Sequence, residues 1–433
     1  MQTRWKRLTD LYQFTMAYGY WRSGRHRDPA EFELYFREAP FRGEFALFFG
    51  LEESVSFLRD FRFNAEDIAY LRSVLPSSVE EGFLDYLRSV DTSEVTVSAV
   101  LEGSVVFAKE PLMKVRGPLL VVQLLETTLL CLVNYASLVG TNASRFRLAA
   151  GAEKKLIEMG LRRAQGRDGG LSASKYCYMG GFDSTSNVLA GKLFGIPVAG
   201  TVAHSFVSSF SSPDGLTIRM LRSAKEEAEE VDLMLLSQSW LEKVCRVLAV
   251  PPEEANCGEL AAFVSYAIAF PYNFLMVVDT YSVLMSGVPN FCAVALALHQ
   301  LGFRAVGVRL DSGDLAGLSV QIRKLFRVCA KQFDVPVFEG LVIGVSNSIS
   351  EQSLKHLARE VRAAGFRGFR VMLRLCGNFV PLREVRDAGF RGFRVMLRLC
   401  GNFVPLREVR AAGFRGFRVM LLLSVVTLFR CGR

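Results

Sequence analysis

The chain of 433 residues contains four histidines, three tryptophans and no two cysteines at CxxC spacing. Its nine cysteines show no framework spacing, and several, including Cys131 and Cys292, sit inside apolar runs. A cystine-stapled secreted scaffold and a structural zinc site are therefore excluded as readings, and a reducing compartment fits best. Neither a GxxxxGK[ST] phosphate loop nor a GxGxxG fingerprint occurs, which leaves P-loop and Rossmann readings without support. Uninterrupted apolar runs of membrane-spanning length are also missing. Gln123, Glu126 and Asn134 break up 119–139, 419–429 is too short to span, and Met1–Lys6 leads into Leu8 without a leader-like apolar core. A cytosolic location is expected.

What remains is a half-hydrophobic chain long enough for two or three domains. The formal charge of +9 is concentrated at one end: residues 361–433 carry 15 Arg, no Lys and 3 acids. Residues 1–360 then hold 37 basic and 40 acidic side chains, a net of −3, so the body gives no nucleic-acid signal.

Along the chain, Leu8–Trp21 reads as an amphipathic helix and Glu31–Arg37 as an alternating strand. Asn64 caps a helix with acids in its first turn, and Ser93–Val100 and Ser104–Val115 read as strands joined through Gly103. From Leu119 the texture changes to helices alternating with short apolar strands near Pro197–Val202, Phe274–Val278, Ala305–Leu310 and Leu341–Val345. That alternation predicts a parallel sheet or barrel. A helix over Ser350–Glu360 should lead to a further strand, but a tandem repeat follows. Val361–Glu384 and Val385–Glu408 are 24-residue copies differing only at Ala363 versus Asp387, and a third starts at Val409 and departs from the pattern shortly after Met420. Two readings stay open: a βα solenoid with Phe369–Leu375 as strand, or a C-terminus of separate origin joined to an older body.

The most informative segment is VGVRLDSGDL, 306–315. The strand period of two puts Arg309 and Asp311 on one side and Leu310 on the other, and Ser312, Gly313 and Asp314 supply a turn and helix start. At the C-terminal end of a parallel strand such side chains face a ligand: the arginine suits an anion, the aspartate a metal ion or sugar hydroxyls. Asp279 closes NFLMVVD in the same way. GTVAHSF, 200–206, reads as an apolar strand ending in Thr201, His204 and Ser205. Tyr178–Asn187 is a glycine-rich turn before a helix, suited either to a negative ligand or simply to capping. LRRAQGRD, 161–168, clusters Arg162, Arg163 and Arg167 as a solvated loop or a phosphate contact.

Taken together, LTDLYQFTMAYGYW from Leu8, FELYFREAPFRGEFALFFGLE from Phe32, GPLLVVQLLET from Gly117, LRRAQG, GTVAHSF and VGVRLDSGDL resemble the nicotinate phosphoribosyltransferases, in their vertebrate form, over residues 8 to about 359. The resemblance implies a type II phosphoribosyltransferase fold of α/β class: an α/β sandwich domain, here 1–118, beside an irregular α/β barrel, here 119–360 and lacking a strand, with 361–433 foreign to the fold. It implies a glycosyltransferase that makes nicotinate mononucleotide and pyrophosphate from nicotinate and phosphoribosyl pyrophosphate, with coupled ATP hydrolysis and Mg²⁺ or Mn²⁺, in a homodimer with shared active sites.

Carried over by motif, Tyr12 looks like the ring-stacking aromatic from the partner, and Thr201 and Arg309 look like nicotinate contacts. His204 looks like the histidine phosphorylated by ATP, and Asp279 and Asp311 look like the ribose and metal carboxylates. Arg162, Asp311 and Gly313 fall to phosphoribosyl pyrophosphate. The family's glycine-threonine loop for the 5′-phosphate has no counterpart in the repeat. Two alternatives follow: an inactive chain that only dimerises, and a nicotinamide phosphoribosyltransferase.

Overall fold

A computed structural model describes residues 8–225, 229–347 and 349–363, with the backbone of 370–373 and 425–430. The chain forms two compact units, Met1–Ala143 with Asn378–Arg433, and Ser144–Gly377.

In the first unit, α1 (Leu11–Arg22) buries Gln13, Phe14 and Ala17. Strand β1 (Pro29–Phe36) alternates as its sequence requires, sending Ala30, Phe32, Leu34 and Phe36 into the core. The short β2 (Ala46–Leu47) is followed by helices α2 (Leu51–Asp60), α3 (Ala65–Val74) and α4 (Glu81–Ser89). Asn64 starts α3 through a capping box in which its side chain accepts from the Asp67 amide while the Asp67 carboxylate accepts from the Asn64 amide. The expected pair of strands over 93–115 is realised as three pieces, β3 (Thr96–Ala99), β4 (Val105–Val106) and β5 (Met113–Pro118). Strand β5 lies antiparallel between β1 and β3, and β2 pairs with β4. Phenylalanines dominate this core: Phe61 meets Phe57 and Phe63 edge-on, each at 5.5 Å, and Phe14 meets Phe63 at 5.9 Å.

Helix α5 (Leu119–Ala150) begins inside this core, burying Leu119, Leu120, Leu124 and Leu125. For that reason the units divide within the helix, after Ala143, and not at the residue 118/119 boundary expected from sequence texture. By length and composition α5 and the helical stretch Val283–Gln300 could each cross a membrane, but the apolar 18-residue stretch of each is 61% and 72% buried in protein, as core helices are.

The second unit runs β6 (Leu156–Glu158), α6 (Gly166–Met179), β7 (Ser184–Thr185), α7 (Val188–Phe194) and α8 (His204–Val207). A hairpin of β8 (Met220–Arg222) and β9 (Glu230–Asp232) leads to α9 (Leu233–Leu248) and α10 (Cys257–Ala269). Then come β10 (Leu275–Val277), a π turn at Val283–Gly287, α11 (Val288–Gln300), β11 (Gly307–Leu310), α12 (Leu315–Gln332), β12 (Val342–Val345), α13 (Glu351–Ala363) and β13 (Arg370–Leu373). Six strands form one sheet in the order β10-β11-β12-β13-β6-β7, with every pairing parallel. Helix α11 is buried on nearly all sides, and Phe291 stacks on Phe274 at 5.3 Å and packs against Phe326 at 5.8 Å.

Two expectations change here. No strand forms over 197–202, only a bridge between Thr185 and Val198, because Pro197 has no N–H for a ladder and Gly200 follows within three residues. The missing barrel strand is also not left as a gap. Strand β13, from the first repeat copy, pairs in parallel with β12 on one side and β6 on the other. The last strand, β14 (Val425–Arg430), pairs antiparallel with β1 in the first unit. The proposed phosphate-loop deficit and the solenoid helix fall outside the described residues.

Candidate active site at the strand ends

The C-terminal ends of β10, β11 and β12 deliver one polar cluster, as open parallel sheets do. Asp279, two residues beyond β10, accepts at Oδ2 from the Asp311 amide (2.7 Å) and the Ser312 hydroxyl (2.6 Å). Asp311, directly after β11, accepts at Oδ1 from the Ser346 hydroxyl, and its carbonyl receives the Asn347 carboxamide at 3.1 Å. Asp279 is thus held from the end of β11, and Asp311 from the end of β12.

Arg309 is 5% exposed, while Leu310 points into the core, as the alternation requires. Its Nη1 donates to Thr201 Oγ1 at 2.9 Å, and among the described residues its buried Nε has no hydrogen-bond partner. Burial lowers the guanidinium pKa from its ordinary value, with Arg162 acting in the same direction and Asp311 and Asp279 opposing. Arginine stays charged under such shifts, so the site keeps a desolvated cation with an unused donor.

His204 is the first residue of α8. Its Nδ1 lies 3.1 Å from Thr280 Oγ1, while Nε2 faces Asp311 Oδ2 at 3.5 Å and Asp279 Oδ1 at 3.8 Å. The last two separations are too long for direct hydrogen bonds and leave the ring 38% exposed beside the carboxylates. Its place in the site comes from the N-terminus of a four-residue helix and not from a strand end.

Of the other residues singled out in the sequence, Arg162 sits exposed in the turn Leu161–Arg163, near enough to Arg309 to act on its charge. Gly313, at φ 76°, makes the left-handed turn that sets Asp314 as cap of α12, where its side chain accepts from the Gly317 amide at 3.1 Å. Tyr12 lies in the first unit on α1, 44% exposed, with its hydroxyl 3.3 Å from Thr127 Oγ1. The glycine-rich turn at 178–187 takes the capping role: Asn187 caps α7 through the Ala190 amide, and Asp183 binds the Leu156 amide and Arg147.

Several residues were not anticipated. Glu158, at the end of β6, is fully buried and accepts from the Gly160 amide and the Ser174 and Thr185 hydroxyls. Ser346 and Asn347 follow β12 as Asp311 follows β11, so the strand-end rule applied to VIGVSN would have found them. Among the described residues no set of three His, Cys, Asp or Glu side chains is arranged to hold a metal ion alone. The two carboxylate oxygens that face His204 still suit a hard cation completed by water and substrate oxygens, the usual way Mg²⁺ is held.

Residues 8–134 match the model of the nicotinate phosphoribosyltransferase (NAPRTase) N-terminal domain. The crystal structure of human nicotinic acid phosphoribosyltransferase is 58% identical, with a TM-score of 0.77 over 85% of this chain and 72% of that one. This chain belongs to the nicotinate phosphoribosyltransferase family. The Homo sapiens nicotinate phosphoribosyltransferase is 61% identical over 353 residues, 82% of this chain, and nicotinate phosphoribosyltransferase 1 of Arabidopsis thaliana is 52% identical over 371 residues, 85% of this chain. The chain spans 66% of the length of each of these two relatives. At 17% identity and a TM-score of 0.52, nicotinate-nucleotide pyrophosphorylase from Pyrococcus furiosus shares the fold of the family. The type II phosphoribosyltransferase fold expected from the motifs is the fold observed.

Proposed function

We propose that this chain transfers a phosphoribosyl group to nicotinate, giving nicotinate mononucleotide and pyrophosphate from nicotinate and phosphoribosyl pyrophosphate. The observation that carries the reading is Arg309: a guanidinium 5% exposed, bonded to Thr201, with a buried Nε left over and two aspartates beside it. Such a donor fork matches a carboxylate, which nicotinate has and nicotinamide lacks.

In the transfer, the pyridine nitrogen attacks the ribose anomeric carbon while the bond from that carbon to pyrophosphate breaks. Two polyanionic substrates have to be held in line, so positioning and charge neutralisation supply most of the rate. Arg309 and Thr201 orient the nicotinate carboxylate, and Asp279 and Asp311 receive ribose hydroxyls and the metal. Arg162 and the Gly313 turn serve the phosphates. Mg²⁺ or Mn²⁺ bound at Asp279 and Asp311 would neutralise the leaving pyrophosphate.

ATP enters through His204 in this reading. With Nε2 turned to two carboxylates, Nδ1 is the nitrogen that keeps a lone pair, and Thr280 is placed to donate to it. The Nδ1 lone pair takes the γ-phosphoryl of ATP as the bond to the departing ADP oxygen breaks, and the phosphoryl group adds about two negative charges on the ring that faces Asp279 and Asp311, where it would strengthen the hold on the site's arginines and a bound metal ion. Tyr12, exposed on α1 with Leu11 and Met16, is available to a second copy of the chain, in keeping with a homodimer that shares its sites. A cytosolic location agrees with this chemistry.

The test is competition between pyridines. Purified full chain supplied with phosphoribosyl pyrophosphate, Mg²⁺ and ATP should consume nicotinate in preference to nicotinamide. Equal use of both, or preference for nicotinamide, removes the Arg309 argument, and a folded chain that consumes neither acts as a dimerisation partner at most.

A further inference from the structure

Behind the active-site corner lies a second buried carboxyl. Glu259, on α10, is fully buried and is bonded only at Oε2, where it accepts the Ser286 hydroxyl at 2.6 Å and the Asn290 carboxamide at 3.2 Å. Among the described residues its Oε1 has no hydrogen-bond partner, and neither does Asn290 Oδ1. An ionised carboxylate would leave Oε1 as a bare negative oxygen in a dry site. A carboxylic acid removes that charge and leaves Oε2 to accept from Ser286 and Asn290. Burial pushes the Glu259 pKa up to about 7, with Asp279 adding to the rise and Ser286 and Asn290 opposing it.

The cluster joins both halves of the site. Ser286 lies in the π turn that begins four residues after Asp279, and its hydroxyl also accepts from the Asn256 amide at 2.8 Å. Asn290 donates to the Asn256 carbonyl at 3.0 Å. On the other side, Gly258 packs so tightly on the Phe210 carbonyl that a Cβ would lie 2.2 Å from it, and Phe206 of α8 meets Tyr266 of α10 at 6.0 Å. Helix α10 thus packs against both the His204 segment, through Gly258 and Tyr266, and the Asp279–Gly287 segment, through Glu259. Gly287 closes the turn with no room for a side chain, since a Cβ would sit 2.0 Å from the Val278 carbonyl.

We infer that Glu259 is a positioning residue for the transfer site: held as an uncharged carboxylic acid by Ser286 and Asn290, it fixes the π turn and so the Asp279–Thr280 pair that faces His204. Its neutrality matters as much as its contacts, because a third negative charge behind Asp279 would push that carboxylate off its Asp311 and Ser312 donors. The inference rests on the phosphoribosyl-transfer reading for its catalytic consequence, but not for its structural one.

The test compares Glu259→Gln, Glu259→Ala and Ser286→Ala in the full chain. Glutamine keeps size and neutrality and should hold kcat near the parent value. Alanine at 259 or 286 should lower kcat roughly 10- to 100-fold, the scale of a misplaced catalytic group, with the KM for nicotinate nearly unchanged because Arg309 and Thr201 are untouched. Hydrogen exchange at 279–287 should quicken in both alanine variants and not in Glu259→Gln, and the infrared carboxylic-acid stretch of the parent, recorded at about pH 6 where the acid form prevails, should vanish in Glu259→Gln. An impaired Glu259→Gln, alanine variants with parental kcat and exchange, or a parent without that stretch overturns the inference. If the parent forms no nicotinate mononucleotide, the functional reading fails while exchange and infrared still decide whether Glu259 is neutral and braces the turn.

Discussion

Replacing Arg309 with glutamine removes a buried cation from the strand-end cluster and leaves a shorter, neutral side chain that gives up the Nη1 contact to Thr201. If the guanidinium grips the nicotinate carboxylate, the lost charge-assisted hydrogen bonds are worth about 1.5–3 kcal/mol, or roughly 10- to 150-fold in kcat/KM. Nicotinamide offers no charge to the fork, so its kcat/KM should fall much less. Preference for nicotinate should therefore collapse in the variant, and Arg309→Lys should recover only part of it, a point charge lacking the planar fork. The same change leaves Asp279 and Asp311 without their buried countercharge, so stability should drop by a few kcal/mol, read as a lower midpoint in denaturant. The assay is steady-state kinetics with each pyridine, on protein shown to be folded at the assay temperature. A variant that loses both pyridines by the same factor, or neither, would refute the assignment.

Three further outcomes follow from the same geometry. His204→Ala should retain basal transfer and lose its stimulation by ATP; an unchanged response to ATP would falsify the phosphorylation role. Glu259 binds its proton more tightly when folded, so its contribution to stability is complete below about pH 4.5 and is lost as pH rises through about 7. Denaturant midpoints from pH 5 to 8 should therefore fall in the parent relative to Glu259→Gln, by at most about 3 kcal/mol, and parallel curves would contradict the buried-acid account. Phe291→Ala, which empties the stack between Phe274 and Phe326, should cost about 3–5 kcal/mol in the same measurement.

The Arg309–Asp311 corner was legible because two rules agree there: alternation along a strand assigns the faces, and a turn-plus-cap sequence marks where the strand stops. Helix α12, Leu315–Gln332, starts directly after the Asp314 cap, where the turn-and-cap sequence predicts. His204 was expected at a strand end, but the apolar run before it contains Pro197 and Gly200 and makes only a bridge, so it is the start of α8 that sets its place. Glu158 and Glu259 were invisible to local reasoning. A carboxylate reads as solvent-exposed until the hydroxyls that satisfy it, at Ser174, Thr185 and Ser286, arrive from 16 to 27 residues away. The unit boundary was missed because α5 is one unbroken apolar helix whose composition does not change where the core does. Strand β13 could not be located by texture either, since the repeat offers the same RVML segment more than once and only pairing with β12 and β6 selects Arg370–Leu373.

The central claim is that the strand-end cluster of the second unit performs phosphoribosyl transfer to nicotinate. The most direct measurement is formation of nicotinate mononucleotide by the folded full chain from nicotinate, phosphoribosyl pyrophosphate, Mg²⁺ and ATP, beside the Asp311→Asn variant. Product from the parent, reduced about 100-fold or more in the variant, is the expected result, because Asp311 is asked to hold both ribose and metal. A folded parent that forms no product, or a variant that matches it, would contradict the account.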